Sequence, residues 1–394
     1  VDIHLVRGAP LNLVVLVEVR WIRCEGSLTI FDHLESRELA DERAGYSFGC
    51  RRPFYQRRPL GWFERCREIL MSRFGVSLAA LVLVLAASPA GADFSEPADV
   101  AKRLGLSADA VERVRSGEVV VQELEASSDK DLSLALVAAL DAPLGKVYDF
   151  VSARKMSELS SITLSDGVID TTTFSLAAMK LPEDALAKLA DDPAATFYLS
   201  EAEAAEIEKA GKQGEAQALA AYQAVLSARA KAYWEGGAAA IQPYAGDGRS
   251  PKVDLGNANE AAGKLMTDAD LRGLLEVVPS KATGTAVHEL SWAIQKGRDL
   301  AAPVLRHRVL YRGDNGEIFI EKRFYSGYDY DTLQIVTGVL PVSADRSALF
   351  YTNHTFTSQV AGFGGGAKRS IGRKLMQKEL VAEMERARKS VEGG

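Results

Sequence analysis

Cysteine is scarce in this chain of 394 residues and confined to one end. Cys24, Cys50 and Cys66 precede residue 71, and none follows. From Asp93 onward, disulfides, thiolate nucleophiles and cysteine-ligated metals are therefore excluded. Lysine is missing from the first seventy residues, which carry eleven arginines. No run reaches the roughly 18 continuous apolar residues of a membrane span, which excludes a polytopic membrane protein. Beyond Asp93 the histidines are His288, His307 and His354. None stands in His-x-His or His-Glu-x-x-His spacing, so the sequence gives little support to a zinc site. No serine sits in Gly-x-Ser-x-Gly, so an esterase of the common type has no support.

The composition that is present is ordinary for a globular protein: 47% hydrophobic, 25% charged, net charge −6. Collagen-like, coiled-coil and fully disordered classes are excluded. The 302 residues from Asp93 hold 35 basic and 43 acidic side chains, a net −8. That balance argues against nucleic-acid binding, which needs a basic footprint.

Residues 71–92 have the order of a signal peptide. Arg73 makes a positive start, 74–87 is an uncharged and mostly apolar run, and Ala90-Gly91-Ala92 is a small-x-small cleavage site. The expectation is a periplasmic or secreted protein cleaved near Ala92. Residues 1–70 then read as an over-extended or disordered start, with Met71 the initiator. The alternative is a real cytoplasmic extension with 74–87 as a signal anchor, although that run is short against the roughly 20 residues of a span.

Local patterns lay out the rest. Ser107 caps a short helix over 108–115, stopped by Gly117. Strand-like runs follow at 118–124 and 132–140. Asp141-Ala142-Pro143 opens a helix over 144–152, with Asp141 as cap. Residues 163–174 read as extended and 181–190 as a helix. Ser200 and Glu203 form a capping box that starts a long Ala/Glu-rich helix, broken near Gly211 and Gly214. Residues 236–259 read as a loop. Five β-rich runs follow, at 287–294, 304–312, 317–328, 332–342 and 347–358. Asp314-Asn315-Gly316 reads as a hairpin turn of the primed class. A glycine-rich loop at 362–366 precedes the longest helix, 367–391. Its apolar stripe is Ile371, Met376, Leu380, Met384 and Ala387.

Two segments carry a resemblance to the START-like, or polyketide-cyclase-like, helix-grip superfamily. One runs from Leu106 into Asp141-Ala142-Pro143 and the helix Leu144-Gly-Lys-Val-Tyr-Asp-Phe-Val, with Tyr148 where that family has tryptophan. The other is the terminal strand, loop and helix from Ser347 onward. The resemblance implies an α+β fold in which a curved antiparallel sheet grips the long C-terminal helix. In this chain it would span 93–394 and carry a large helical insertion at about 176–262. It also implies a cavity for a hydrophobic small molecule such as a lipid or polycyclic compound.

The residues expected to line that cavity are Trp292, Arg308, Arg323, Tyr325, Tyr351 and Phe363, with Phe363 at the tip of a gate formed by loop 361–366. Arg306 lies among the same strands, where an inward arginine would pair with a carboxylate or headgroup. Lys368, Arg369 and Arg373 are candidates for a headgroup or anion. The loop before them is not a nucleotide cradle, since Ala367 precedes Lys368 and Arg369 follows it, against the Walker pattern. No cofactor is called for. A membrane surface is a further partner class, and protein partners are unspecified. Two other function classes stay open: a cyclase or dehydratase on the same fold, with His354 or His288 as base, and an envelope structural or assembly factor.

Overall fold

The computed structural model describes 18–24, 27–33 and 97–393, apart from 246–248 and 363. It divides into two units, Val1–Ala80 and Leu81–Gly394. In the first, strands β1 (Glu18–Cys24) and β2 (Ser27–His33) pair antiparallel, Cys24 opposite Ser27. The signal-peptide reading, with Ala90 and Ala92, falls outside the described residues.

The second unit is α+β. Helices α1 (Pro97–Arg103) and α2 (Ala108–Arg115) come first. Ser107 caps α2, its hydroxyl accepting from the Ala110 N–H at 3.2 Å. Strands β3 (Val120–Glu123) and β4 (Asp131–Leu140) follow, then α3 (Leu144–Ser152), α4 (Lys155–Leu159) and β5 (Thr163–Ile169). The insertion holds α5 (Glu183–Asp191), α6 (Pro193–Thr196), α7 (Glu201–Gly211), α8 (Glu215–Gly236) and α9 (Pro251–Gly263). Helix α10 (Ala269–Glu276) leads into β6 (Val287–Lys296), β7 (Ala301–Gly313), β8 (Gly316–Ser326), β9 (Thr332–Ser343) and β10 (Arg346–Phe356). Helix α11 (Gly365–Gly393) closes the chain. Among the described residues, no helix is long and apolar enough to cross a membrane.

One curved antiparallel sheet takes strands β3 to β10 in the order β3-β4-β10-β9-β8-β7-β6-β5. The terminal helix packs against this sheet, so the expected architecture is present. Strand β4 is buried along nearly all its length because both faces of the sheet are covered. On one face lie α3, α4 and α11. The other face, the back, carries three helical groups: α1 and α2, then α9 and α10, then the remainder of the insertion. The insertion buries Tyr222, Leu226 and Tyr233 against Leu290, Trp292, Leu305 and Phe324 of the sheet. It does not lie over the α11 side.

Four local expectations need correction. Residues 236–259 are a loop only in part: Gly237–Ala240 is a helical turn, and Ser250 caps α9, with Pro251 in its first turn. There the proline is a starter, since its missing N–H has no helical partner to lose. Asp141 does not cap α3. Its carboxylate accepts from Arg346 Nε at 2.8 Å, and α3 begins from Pro143 without a side-chain cap. The β7–β8 turn is not of the primed class. Gly313 pairs with Gly316, so Asp314 and Asn315 form the turn, and neither has positive φ. Ile371 is not in the buried stripe of α11 but is 62% exposed. It lies five residues before Met376, about 140° round a helix of 3.6 residues per turn, so it points outward.

Candidate functional site

Between the sheet and α11 lies a cavity of about 500 Å³. Its walls come from alternate residues of the strands: Leu132, Leu136 and Leu140 of β4, Phe319, Glu321 and Arg323 of β8, and Leu349, Tyr351 and Asn353 of β10. This is the period-2 rule of a strand, in which residues i and i+2 share a face. Helix α3 adds Val147, Phe150 and Val151. Helix α11 adds Met376, Leu380, Met384, Ala387 and Val391, a stripe at three- and four-residue spacing. Leu136, Leu140, Val147, Phe319, Leu349 and Met384 also belong to one packed apolar cluster.

The same cavity has a polar wall, built by β6, β7, β8 and α4. Arg323 donates from Nε to Glu321 Oε1 at 2.8 Å, and from Nη1 to Tyr330 Oη at 2.9 Å and Gln295 Oε1 at 3.2 Å. Arg308 donates to Glu289 Oε1 at 2.9 Å and to the Val151 carbonyl at 2.6 Å. Arg154 pairs with Asp166 at 3.2 Å. Burial alone would raise the Glu321 carboxyl, but Arg323 and Arg306 overcome it and hold it at about 2. Burial likewise lowers Arg323, yet Tyr330 and Glu321 outweigh it and raise the value. On α11, burial raises the Glu383 carboxyl.

Arg306 is the exception in this wall. It is 6% exposed. Nη1 donates to Ser157 Oγ at 3.3 Å, and the nearest carboxylate oxygen, Glu321 Oε2, stands 4.0 Å away. Nε and Nη2 are buried without a hydrogen-bond partner. Burial is the main cause of its lowered pKa.

The structure brings Arg308, Arg323 and Tyr351 together in the cavity wall. It places Trp292 and Tyr325 elsewhere, on the back of the sheet beneath the insertion. The cause at Tyr325 is a bulge. Leu305 pairs with Tyr325 but Arg306 pairs with Arg323, so Phe324 is an extra residue and the alternation resets. Tyr325 then meets Tyr222, Oη to Oη at 2.7 Å. Phe363 lies outside the described residues, and no described residue of 361–366 lines the cavity. Arg369 and Arg373 sit at a polar groove beside the β3–β4 connection, where Arg369 donates to the Asp129 carbonyl at 2.8 Å and Arg373 to Glu123 at 3.5 Å. Lys368 is exposed outside that groove.

Neither weak base candidate lines the cavity. His354 Nδ1 lies on the back of the sheet, 3.1 Å from Ser133 Oγ and 3.2 Å from Asp131 Oδ2. Burial would raise Asp131, but hydrogen bonding and charge from His354, with Ser133, keep it low. His288 Nδ1 lies 3.1 Å from His307 Nε2, and Tyr233 Oη lies 3.0 Å from His307 Nδ1. Burial lowers both imidazoles, so both are held neutral. Among the described residues no group of His, Cys, Asp or Glu is arranged to hold a metal. Sequence reasoning named neither the polar partner Gln295 nor Ser157. Glu289 and Ser291, polar and in alternate places of the same strand, were the available signal for Gln295. Compared with known proteins, the chain matches no family model and no curated protein.

Proposed function

We propose that this chain is an exported binding or transport protein of START-like architecture, holding a hydrophobic small molecule between its sheet and its last helix. The observation that carries the reading is the 500 Å³ cavity, apolar along α3, β4, β10 and α11 and polar at β6 to β8. Its size falls in the usual range for ligand sites, roughly 300–1,000 Å³. The order strand, two short helices, strand, then five strands and a terminal helix supports the resemblance drawn from the sequence. Apolar ligand area buried there contributes about 25 cal/mol per Å² before ordering costs. Histidine-based catalysis has no support from the geometry, since His288 and His354 face away from the cavity. An assembly role for the insertion gains little: among its described large apolar side chains only Val253 is notably exposed.

The test is occupancy. The full chain, purified from its own envelope, should carry a lipid or polycyclic molecule in native mass spectrometry. Ala387→Trp, which fills the cavity from α11, should come out empty with its unfolding transition retained. A wild-type protein that is always empty, and whose melting temperature no lipid extract raises, would overturn the reading.

A further inference from the structure

The polar wall of the cavity is organised as ion pairs with one member left over. Arg154 has Asp166, Arg308 has Glu289, and Arg323 has Glu321. Arg306 has no carboxylate of its own within hydrogen-bond distance. The two nitrogens it leaves unpartnered are Nε and Nη2. Those two form one edge of the planar guanidinium, the edge that meets a carboxylate with two parallel hydrogen bonds. The same edge is filled twice elsewhere in this molecule. Arg229 gives Nε and Nη2 to the two oxygens of Glu203, and Arg113 gives them to the two oxygens of Glu118. At Arg306 the fork is buried without a protein partner, on a residue that lines the cavity.

Resting on the binding function proposed above, we infer that Arg306 is the head-group anchor of the cavity, and that its ligand is a single-chain amphiphile ending in a carboxylate. A single carboxylate matches the two unpartnered nitrogens on that one edge of Arg306. A phosphate dianion would set its second charge against Glu321, which the neighbouring arginines keep ionised. The tail would lie along Leu136, Phe319, Leu349, Leu380 and Met384. The cavity volume corresponds to roughly seventeen water-sized units at ~30 Å³ each, which sets the scale of the tail.

Three probes share one tail: myristate, tetradecan-1-ol and tetradecyl phosphate. Binding to the full chain is measured by titration calorimetry at neutral pH. Wild type should bind myristate about tenfold to a hundredfold more tightly than the alcohol, the value of hydrogen bonds to a charged group. Arg306→Met should lose that preference and keep its affinity for the alcohol. Equal affinity of wild type for myristate and the alcohol overturns the anchor and leaves the binding function standing. So does an Arg306→Met variant that still discriminates. A preference for the phosphate over myristate overturns the carboxylate. Failure of every probe to bind overturns the binding function and the anchor together. The wild-type comparison needs no variant, so a misfolded Arg306→Met leaves the inference open to refutation.

Discussion

Removing the charge of Glu203 should strand a buried arginine inside the insertion. Arg229 of α8 is 6% exposed, and its guanidinium lies 5.3 Å from the ring centres of both Tyr244 and Tyr325. Nε donates to Glu203 Oε1 at 2.7 Å, Nη2 bonds Glu203 Oε2, and Nη1 donates to the Gln242 carbonyl at 3.3 Å. Glu203 also closes the capping box of α7, accepting from the Ser200 N–H at 2.7 Å. Breaking a buried pair by deleting one partner costs about 3–5 kcal/mol, because a charge stays buried alone. The two tyrosine rings still face that charge and are worth about 1–2 kcal/mol. Glu203→Gln keeps a capping side chain at this position, so it isolates the charge and should cost about 3 kcal/mol. Glu203→Ala also loses the cap, about 1 kcal/mol more. The double variant Glu203→Leu/Arg229→Met should be more stable than either single one, since no charge is stranded. Equilibrium urea unfolding of the full chain at pH 7 measures all four. A Glu203→Gln variant within about 1 kcal/mol of wild type would refute the reasoning. So would a double variant less stable than both singles.

Other consequences follow from buried groups. Burial pushes the Lys322 ammonium, which donates to the Leu275 carbonyl, down to about 8 from its usual 10.5. A depressed value contributes stability above the ordinary pKa that is lost as pH falls through the folded one. Stability should therefore drop by about 3 kcal/mol between about pH 10 and 8, and Lys322→Met should flatten that region of the urea-midpoint profile. Asp254 has the opposite sign. Burial raises its carboxyl from 3.8 to about 6, so its contribution is full below 3.8 and lost as pH rises through 6. Asp254→Asn should remove that decline, and an unchanged profile from pH 4 to 7 would count against it. A Cβ at Gly167 would lie 2.7 Å from Nε1 of the Trp292 indole. Gly167→Ala should cost about 1–3 kcal/mol through overpacking and shift Trp292 fluorescence.

Much of the element map was legible because local chemistry decided it. The capping box at Ser200 and Glu203, the break between Gly211 and Gly214 and the helix after Pro143 depend on neighbours in the chain. Face assignment was not legible. Alternation sorts a strand into two sets but names neither, and here both sides of the sheet are covered by helices. Trp292 was therefore expected in the cavity wall, and it is Gln295 of the same strand that lines it. The Phe324 bulge carries no residue signal, so Arg323 and Tyr325 were placed on one face when they lie on two. Helix α9 was hidden because 236–259 was read as a loop from its composition, although Ser250 and Pro251 start a helix there. The unpartnered edge of Arg306 depends on what its neighbours do not supply, which no spacing records.

On the proposed reading, the two sides of the sheet divide the work of stability and binding. The back holds large buried aromatics, Tyr222, Tyr233 and Phe324 among them, with Tyr233 stacked on Phe324 at 4.0 Å between ring centres. The α11 side keeps a volume unfilled. At about 24 cal/mol per Å³, an empty dry space of 500 Å³ would cost on the order of 10 kcal/mol, as much as the net stability of a domain. Water cannot remove that cost along Leu136, Leu349 and Met384, which offer it no hydrogen bonds. An amphiphile bound as proposed would remove it at both ends, with its tail against those side chains and its head at the arginines. Occupancy should therefore appear as stability: a saturating ligand at a hundred times its Kd adds about 2.7 kcal/mol, and Ala387→Trp should be indifferent to it. A wild-type protein whose urea midpoint is the same before and after thorough delipidation would show that the space needs no guest.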